Sequence, residues 1–318
     1  MLLSILLPTF NRKNKIKKQI EYFINEKFYT YPNVEIIVSD NCSNDGTDLI
    51  LKNYKYENIK YFRQSSNIGG INNFLFLIRK SKGKFIWIVG DDDELKSGLL
   101  KKVIDILSRY PDIGHLFINY NYYTNRGIEE SGLPKGKDTY FKQGELFDFV
   151  SDNCGFGAIM FITSNIFKKT IVDETNKILQ QNNELDNMAL SLGYGLNASR
   201  LSGYCVFDPM VLDDCVNVSW SRSAIRVHCR DMLAIFDIIS QNLDNYSYLI
   251  EKFINNMPRK APEFTYFLYS HRYNKNNYAM YFFIKKYPHK LIIHFFEFVY
   301  LCTMYIVKRA RLRRWNIT

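Results

Sequence analysis

Cysteine is sparse and unpatterned in this chain. Six occur in 318 residues, at positions 42, 154, 205, 215, 229 and 302, with no CxxC pair and no zinc-like spacing. That argues against a thiolate metal site and points to reduced thiols in a cytoplasmic protein. Acidic residues are in deficit, 32 against 42 lysines and arginines, and the resulting net charge of +10 asks for an anionic partner. Nucleic acid, lipid headgroups and phosphorylated substrates are the available classes. No RRM, KH or helix-turn-helix signature supports the first, so no nucleic-acid partner is expected. Met1–Leu7 is apolar, but it is too short for a signal peptide and lacks a basic start, and Pro8 then ends it. Nor is there a convincing membrane span. The best stretch, residues 291–307, is broken by His294 and Glu297 and falls short of the about 20 apolar residues that crossing requires. Internal repeats and low-complexity tracts are lacking as well.

What is present is a substantial core. Hydrophobic residues make up 47% of the chain, which suits one large α/β domain with an appendage. Strands are expected at residues 2–7, 34–39, 59–62 and 85–89. Between them lie helical patterns at 13–28, from the Ser43–Thr47 turn to Leu51, and from Asn67 to about Lys80. This alternation builds right-handed crossovers and a mostly parallel sheet. Further on come a helix over 97–109, a strand over 113–119 and an irregular polar stretch over 120–140. An apolar run over 151–166 carries Gly155 and Gly157, which suit a bulge or a close backbone approach to an acceptor. A helix over 182–192 and a strand over 204–207 complete the series. From about Arg222 the pattern turns to long helices rich in Tyr, Phe, Lys and Asn. The expected division is therefore residues 1–220 and 221–318.

Ligands of open α/β sheets bind at the carboxyl ends of the strands. Pro8-Thr9, Asp40-Asn41 and Asp91-Asp92-Asp93 all fall there. Three adjacent carboxylates repel one another, which raises their pKa values and costs stability. A hard divalent cation such as Mg²⁺ or Mn²⁺ removes that cost by taking one or two carboxylates, with water and phosphate oxygens beside them. The plainer alternative is a solvated acidic turn ahead of a helix that begins near Ser97.

Four ordered blocks now carry a resemblance: Leu7-Pro8-Thr9-Phe10-Asn11-Arg12, then Ser39-Asp40-Asn41-Cys42-Ser43-Asn44-Asp45-Gly46-Thr47, then Asn67-Ile68-Gly69-Gly70, then Gly83-Lys84-Phe85-Ile86-Trp87 ahead of the acidic triplet. The chain resembles the family-2 inverting glycosyltransferases of GT-A fold, in their bacterial O-antigen and capsule (abequosyltransferase-like) form. The resemblance implies a Rossmann-like, mostly parallel sheet flanked by helices, with a helical C-terminal appendage. It also implies a nucleotide-sugar donor held by Pro8, Thr9, Asn11, Arg12, Asp40, Asn67, Gly69, Asp91 and Asp92, with Arg12 suited to a diphosphate and Asp40 to a nucleobase N–H. Outside the resemblance, Arg12 reads as a solvated basic helix start, Asp40 as an Asx turn, and Asn67 and Gly69 as helix caps.

The family's Asp-x-Asp motif binds the metal. In an ungapped match Gly90 stands where the first aspartate usually does, and Asp92 and Asp93 match the later positions. Alternatively Asp91-x-Asp93 is the motif, shifted by one residue. The expected ligands are Asp93 and Asp91, then Asp92. Inversion requires a base to deprotonate the acceptor hydroxyl. The matching segment, Asn182–Leu190, offers Asp186 first and Glu184 in reserve, both of which could instead be solvated carboxylates at a helix start. Residues 291–307, followed by Lys308, Arg309, Arg311, Arg313 and Arg314, suit an interfacial helix on an anionic cytoplasmic membrane face, and hence a polyprenyl-diphosphate-linked glycan acceptor. The same segment could equally pack on the catalytic domain. The rival activities are a sugar nucleotidyltransferase, which would want a glycine in the loop after the first strand, and a non-catalytic nucleotide-binding scaffold.

Overall fold

A computed structural model of the chain describes residues 1–124, 127–186, 188–213 and 231–243, together with 227, 248 and 252. The chain divides into two compact units, Met1–Val218 and Ser219–Thr318. The first is α/β. Strands β1 (Leu3–Thr9), β2 (Val34–Asp40), β3 (Ile59–Arg63) and β4 (Phe85–Ile88) lie parallel in the order β3-β2-β1-β4. Every residue of β2 and β4 is buried, as are all of β1 except Pro8. Such near-continuous apolar strands arise when helices cover both faces of a sheet. Alternate residues serve opposite faces. Leu3, Ile5, Leu7, Val34, Ile36, Val38, Phe85 and Trp87 meet Ile16, Ile20 and Phe23 of α1 (Lys13–Asn25) and the apolar stripe of α4 (Leu99–Arg109). Helix α2 (Thr47–Leu51) follows β2, and α3 (Gly70–Lys80) packs against β1 and β2.

Beyond β4 the sheet departs from simple crossovers. Strand β9 (Asn165–Lys168) runs antiparallel between β4 and β6 (His115–Thr124), and β6 then pairs in parallel with β10 (Gly203–Asp213). The outer edge of β10 is covered in two pieces. Its first residues pair with β8 (Thr139–Phe141) and its last with the two-residue β5 (Glu94–Leu95), both antiparallel. The apolar run at 151–166 thus ends in a strand, after α5 (Glu145–Cys154) and α6 (Phe156–Met160) meet at Gly155, whose φ of +74° lets the chain turn between them. Residues 120–140 also carry strands: β6 continues to Thr124 and folds back onto β7 (Gly127–Ser131), with β8 following.

The helix expected over 182–192 is displaced. Helix α7 spans Lys169–Gln181, a turn follows in which Asn183 takes a φ of +58°, and α8 begins only at Leu190 and ends at Ala198. The physical reason is burial, since every residue of α8 is buried while Asn182, Asn183 and Asp186 are exposed. At Gly195 a β-carbon would lie 2.4 Å from Ile159, so α8 packs too closely for a side chain there. In the second unit, α9 (Met232–Ser240) is described. The interfacial segment 291–314 lies outside the described residues. Among the described residues no helix is long and apolar enough to cross a membrane.

Candidate functional site at the carboxyl ends of β1, β2 and β4

Parallel pairing sets Thr9 opposite Asp40 and brings β4 to the other side of β1, so three strands deliver their polar ends to one rim. Thr9 donates its hydroxyl to Asp91 Oδ2 at 2.9 Å. Arg12, at the start of α1, places one guanidinium nitrogen 2.7 Å from Asp91 Oδ1 and 2.7 Å from Asp92 Oδ2. Lys15 stands one turn further on, 3.8 Å from Asp92. These cations answer the mutual repulsion of the carboxylates. Burial alone pushes the Asp91 carboxyl up, Arg12 pulls it back, and the charge of Asp92 adds to the rise, leaving it above the ordinary carboxylate range. Burial works against the charged Arg12 guanidinium, but the two aspartates outweigh it and raise its pKa.

Asp93 turns the other way. Its carboxylate accepts from the Thr163 hydroxyl, whose oxygen in turn accepts the Gly90 N–H at 2.9 Å. The Gln19 amide donates to the carbonyls of both Gly90 and Asp93. This accounts for the glycine at position 90. A β-carbon there would lie 2.5 Å from Asp93 Oδ2 and 3.2 Å from Asp92 Oδ1, so the folded-back carboxylates occupy the space of a side chain. Gln19 and Thr163 were not read as site residues. Gln19 sits among the polar positions of an amphipathic helix, and Thr163 lies 70 residues from the loop that it fixes.

The β1 and β2 ends are stitched together. Asn11, in the left-handed region at φ +53°, receives the Asn44 N–H on its side chain at 2.8 Å and donates its own N–H to Ser43 Oγ at 2.8 Å. Asp45 accepts from the N–H groups of Lys13 and Thr47, tying the starts of α1 and α2 to one carboxylate. Asp40 is wholly buried. Its carboxylate accepts from the Ser43 N–H at 2.9 Å and lies 3.7 Å from Arg63, so it holds the loop rather than facing the cleft. Asn67, exposed ahead of α3, accepts from Asn41 at 2.9 Å and from the Gly69 N–H. Pro8 is half-buried beside Thr9. Asp186 is exposed in the turn after α7 and Glu184 is half-buried there. Beyond that turn Ser191 donates its hydroxyl to the Met160 carbonyl at 3.2 Å.

Among the described residues no three His, Cys, Asp or Glu side chains converge as a ready-made metal cage. The donors at the rim are hard oxygens, and Asp92, 28% exposed, is the carboxylate of the triplet most open to the cleft. That set fits an Mg²⁺ or Mn²⁺ ion which takes one or two carboxylates and completes its shell with water and phosphate oxygens.

The model of glycosyl transferase family 2 matches residues 4–167, just over half of the chain and all of the rim described above. The chain belongs to that family. Its relatives include the abequosyltransferase RfbV of Salmonella typhimurium, 35% identical over 116 residues, which are 35% of this chain and 33% of that protein. Another is the GalNAc(5)-diNAcBac-PP-undecaprenol beta-1,3-glucosyltransferase of Campylobacter jejuni, 38% identical over 163 residues, 46% of this chain and 50% of that one. The chain thus spans a third to a half of the length of these curated relatives. Among solved structures, Staphylococcus aureus TarS 1-349 in complex with UDP-GlcNAc superposes with a TM-score of 0.58 at 17% identity, over 94% of this chain and 81% of that chain. That likeness establishes the GT-A fold of this family-2 chain.

Proposed function

We propose that this family-2 chain transfers one sugar from a nucleotide-sugar donor to a glycan acceptor, with inversion at the anomeric carbon, in the synthesis of a bacterial surface polysaccharide such as O-antigen or capsule. The observation that carries the reading is the Thr9–Arg12–Asp91–Asp92 network at the carboxyl ends of parallel strands. Two relatives bear transferase names, one of them acting on an undecaprenol-diphosphate-linked glycan, and the mannosyltransferase PcManGT of Pyrobaculum calidifontis was solved with GDP-Man and Mn²⁺. These support a nucleotide-sugar donor, a divalent ion and a polyprenyl-diphosphate-linked acceptor here.

In this reading Asp92 leads the metal ligands, with Asp91 beside it. Asp93 shapes the loop from behind, a different order from the one expected from sequence. Bound there, Mg²⁺ or Mn²⁺ would neutralise the departing nucleotide diphosphate. Arg12, 31% exposed, would pair with the same phosphates. Pro8, Thr9 and Asn11, with Asn67 and Gly69 opposite, would line the nucleoside pocket, and buried Asp40 would keep its loop closed. Asp186 takes the proton from the attacking hydroxyl, and Glu184 stands in reserve. The aromatic and basic segment 291–314 holds the protein against an anionic membrane, where a lipid-linked acceptor would be presented.

The test is sugar transfer or donor hydrolysis with Mn²⁺ and Mg²⁺ across UDP-, GDP-, CDP- and dTDP-sugars. One donor class should turn over. Asp92→Asn should lose at least about 100-fold in kcat, the scale of removing a stabiliser of developing charge, with the fold intact. Asp186→Asn should lose turnover but keep nucleotide binding. Wild-type turnover by Asp92→Asn would overturn the ligand assignment, and inertness toward every donor would overturn the activity.

A further inference from the structure

Apart from the rim, a groove of about 370 Å³ runs along the outer face of α4, from Gly98 to Tyr110. That volume falls at the lower end of the range for small-molecule sites, roughly 300–1,000 Å³. At 1.5 Å per residue the helix gives the groove a length of about 18 Å. Lys101, Lys102, Asp105 and Arg109 of α4 line it, with Asp138 and Tyr204 from outside that helix.

Two features make this more than a solvated helix face. The first is a file of tyrosines. Tyr140 stacks on Tyr110 at 5.4 Å and Tyr110 on Tyr204 at 5.1 Å, tilted by 31° and 32°. Tyr140 is 47% exposed, and among the described residues the hydroxyls of the three find no hydrogen-bond partner. The second is a set of ion pairs at the same place. Lys101 meets Asp105 at 2.6 Å, and Lys102 meets Asp138 at 2.8 Å. Asp138 is itself held by the N–H of Phe207 at 3.0 Å, so this second pair is anchored to the sheet.

We propose that this groove is a second saccharide-binding site, taking one or two rings of a glycan away from the transfer centre. The apolar C–H face of a pyranose packs on an aromatic face, while its ring of hydroxyls donates and accepts at neighbouring positions. Tyrosine rings beside lysine–aspartate pairs supply both at once. A bare phosphate would find its cations offset by Asp105 and Asp138, with Arg109 alone unmatched by a carboxylate among the described residues. At its Gly98 end the groove meets the close of α1, where the Gly98 N–H donates to the Glu26 carboxylate at 2.9 Å, so it stands apart from the acidic loop that Arg12 holds at the other end of that helix. The proposal rests on the transferase reading only for why a saccharide would be at hand.

The probes are cellotriose, chitotriose and a hyaluronan tetrasaccharide, titrated into the full chain without donor and followed by saturation-transfer NMR and calorimetry. At least one should bind in the millimolar range or tighter. Tyr110→Leu and Tyr204→Leu keep apolar bulk in the lining of the groove, and each should weaken binding by about tenfold. Lys102→Met should weaken it as well. Melting temperature and the binding of UDP, GDP, CDP or dTDP with Mn²⁺ should match wild type in all three. Failure of every probe to bind, or binding that survives all three substitutions, would overturn the proposal. Saccharide binding without any nucleotide binding would leave the groove standing and remove the transferase reading instead.

Discussion

His115 opens β6 in full burial, with its ring stacked on Phe167 at 4.6 Å and its Nε2 2.7 Å from Asn165 Oδ1. The amide group of Asn165 already donates to the carbonyls of Ala158 and Phe161. Its oxygen must therefore accept, which places the imidazole proton on Nε2 of a neutral ring. Burial lowers the His115 pKa to about 4, and the Asn165 bond offsets this only in part. The unfolded chain takes up a proton near pH 6.5 that the native chain refuses, so acidification favours unfolding. Stability should fall by roughly 1.4 kcal/mol per pH unit from about 6.5 down to 4 on account of this ring. Urea midpoints measured across that window should show a shallower fall in His115→Gln than in wild type. Equal slopes would mean that another group carries the proton uptake.

Among the elements, the loop from Gly90 to Asp93 is fixed from outside itself. Thr163 supplies the hydroxyl that bridges Gly90 and Asp93, and its carbonyl accepts the Trp87 indole N–H at 2.8 Å. Thr163→Val keeps the shape and the carbonyl but removes the hydroxyl, leaving Asp93 with one partner fewer. Such a loss costs about 1–3 kcal/mol. The expected result is a lower melting temperature together with a weaker apparent affinity for Mn²⁺ in the presence of nucleotide. A drop in stability with unchanged Mn²⁺ dependence would confine Thr163 to a packing role. Strands β1 to β4 and their helices could be read from the sequence because their apolar runs and turns repeat in chain order. Strand β9 could not, because its four residues sit at the end of an apolar run and pair antiparallel with strands far away in sequence. Helix α8 defeats periodicity for a related reason, since burial on all sides leaves no polar face. At the rim, Arg12 and the acidic triplet stood out by charge. Gln19 and Thr163 have no charge to announce them, and their role comes wholly from tertiary contact.

For the whole molecule, the net charge of +10 is not taken up at the rim, where cations and carboxylates answer one another. Lys308, Arg309, Arg311, Arg313 and Arg314 concentrate part of the excess near the chain end. Each basic residue near an anionic bilayer contributes about 1 kcal/mol. The full chain should therefore sediment with phosphatidylglycerol vesicles, lose that binding as salt rises, and bind phosphatidylcholine vesicles weakly. Replacing the five basic residues by alanine should abolish the sedimentation. Binding that persists in high salt and without those residues would mean that aromatic insertion, rather than charge, holds the protein to lipid.

The antiparallel position of β9 also has a temporal side. During synthesis β1 to β4 emerge within the first 90 residues, yet the exposed edge of β4 must wait for residues 165–168 before it gains a neighbour. Thr163 arrives only just ahead of that strand, so the Trp87 indole and the acidic loop lack their anchor until residue 163 has been made. A nascent chain that stalls before this point would carry all the aspartates of the rim but not the clasp that shapes them. On the proposed reading of the rim, competence for metal and nucleotide would then arise late and abruptly, with the insertion of one short strand.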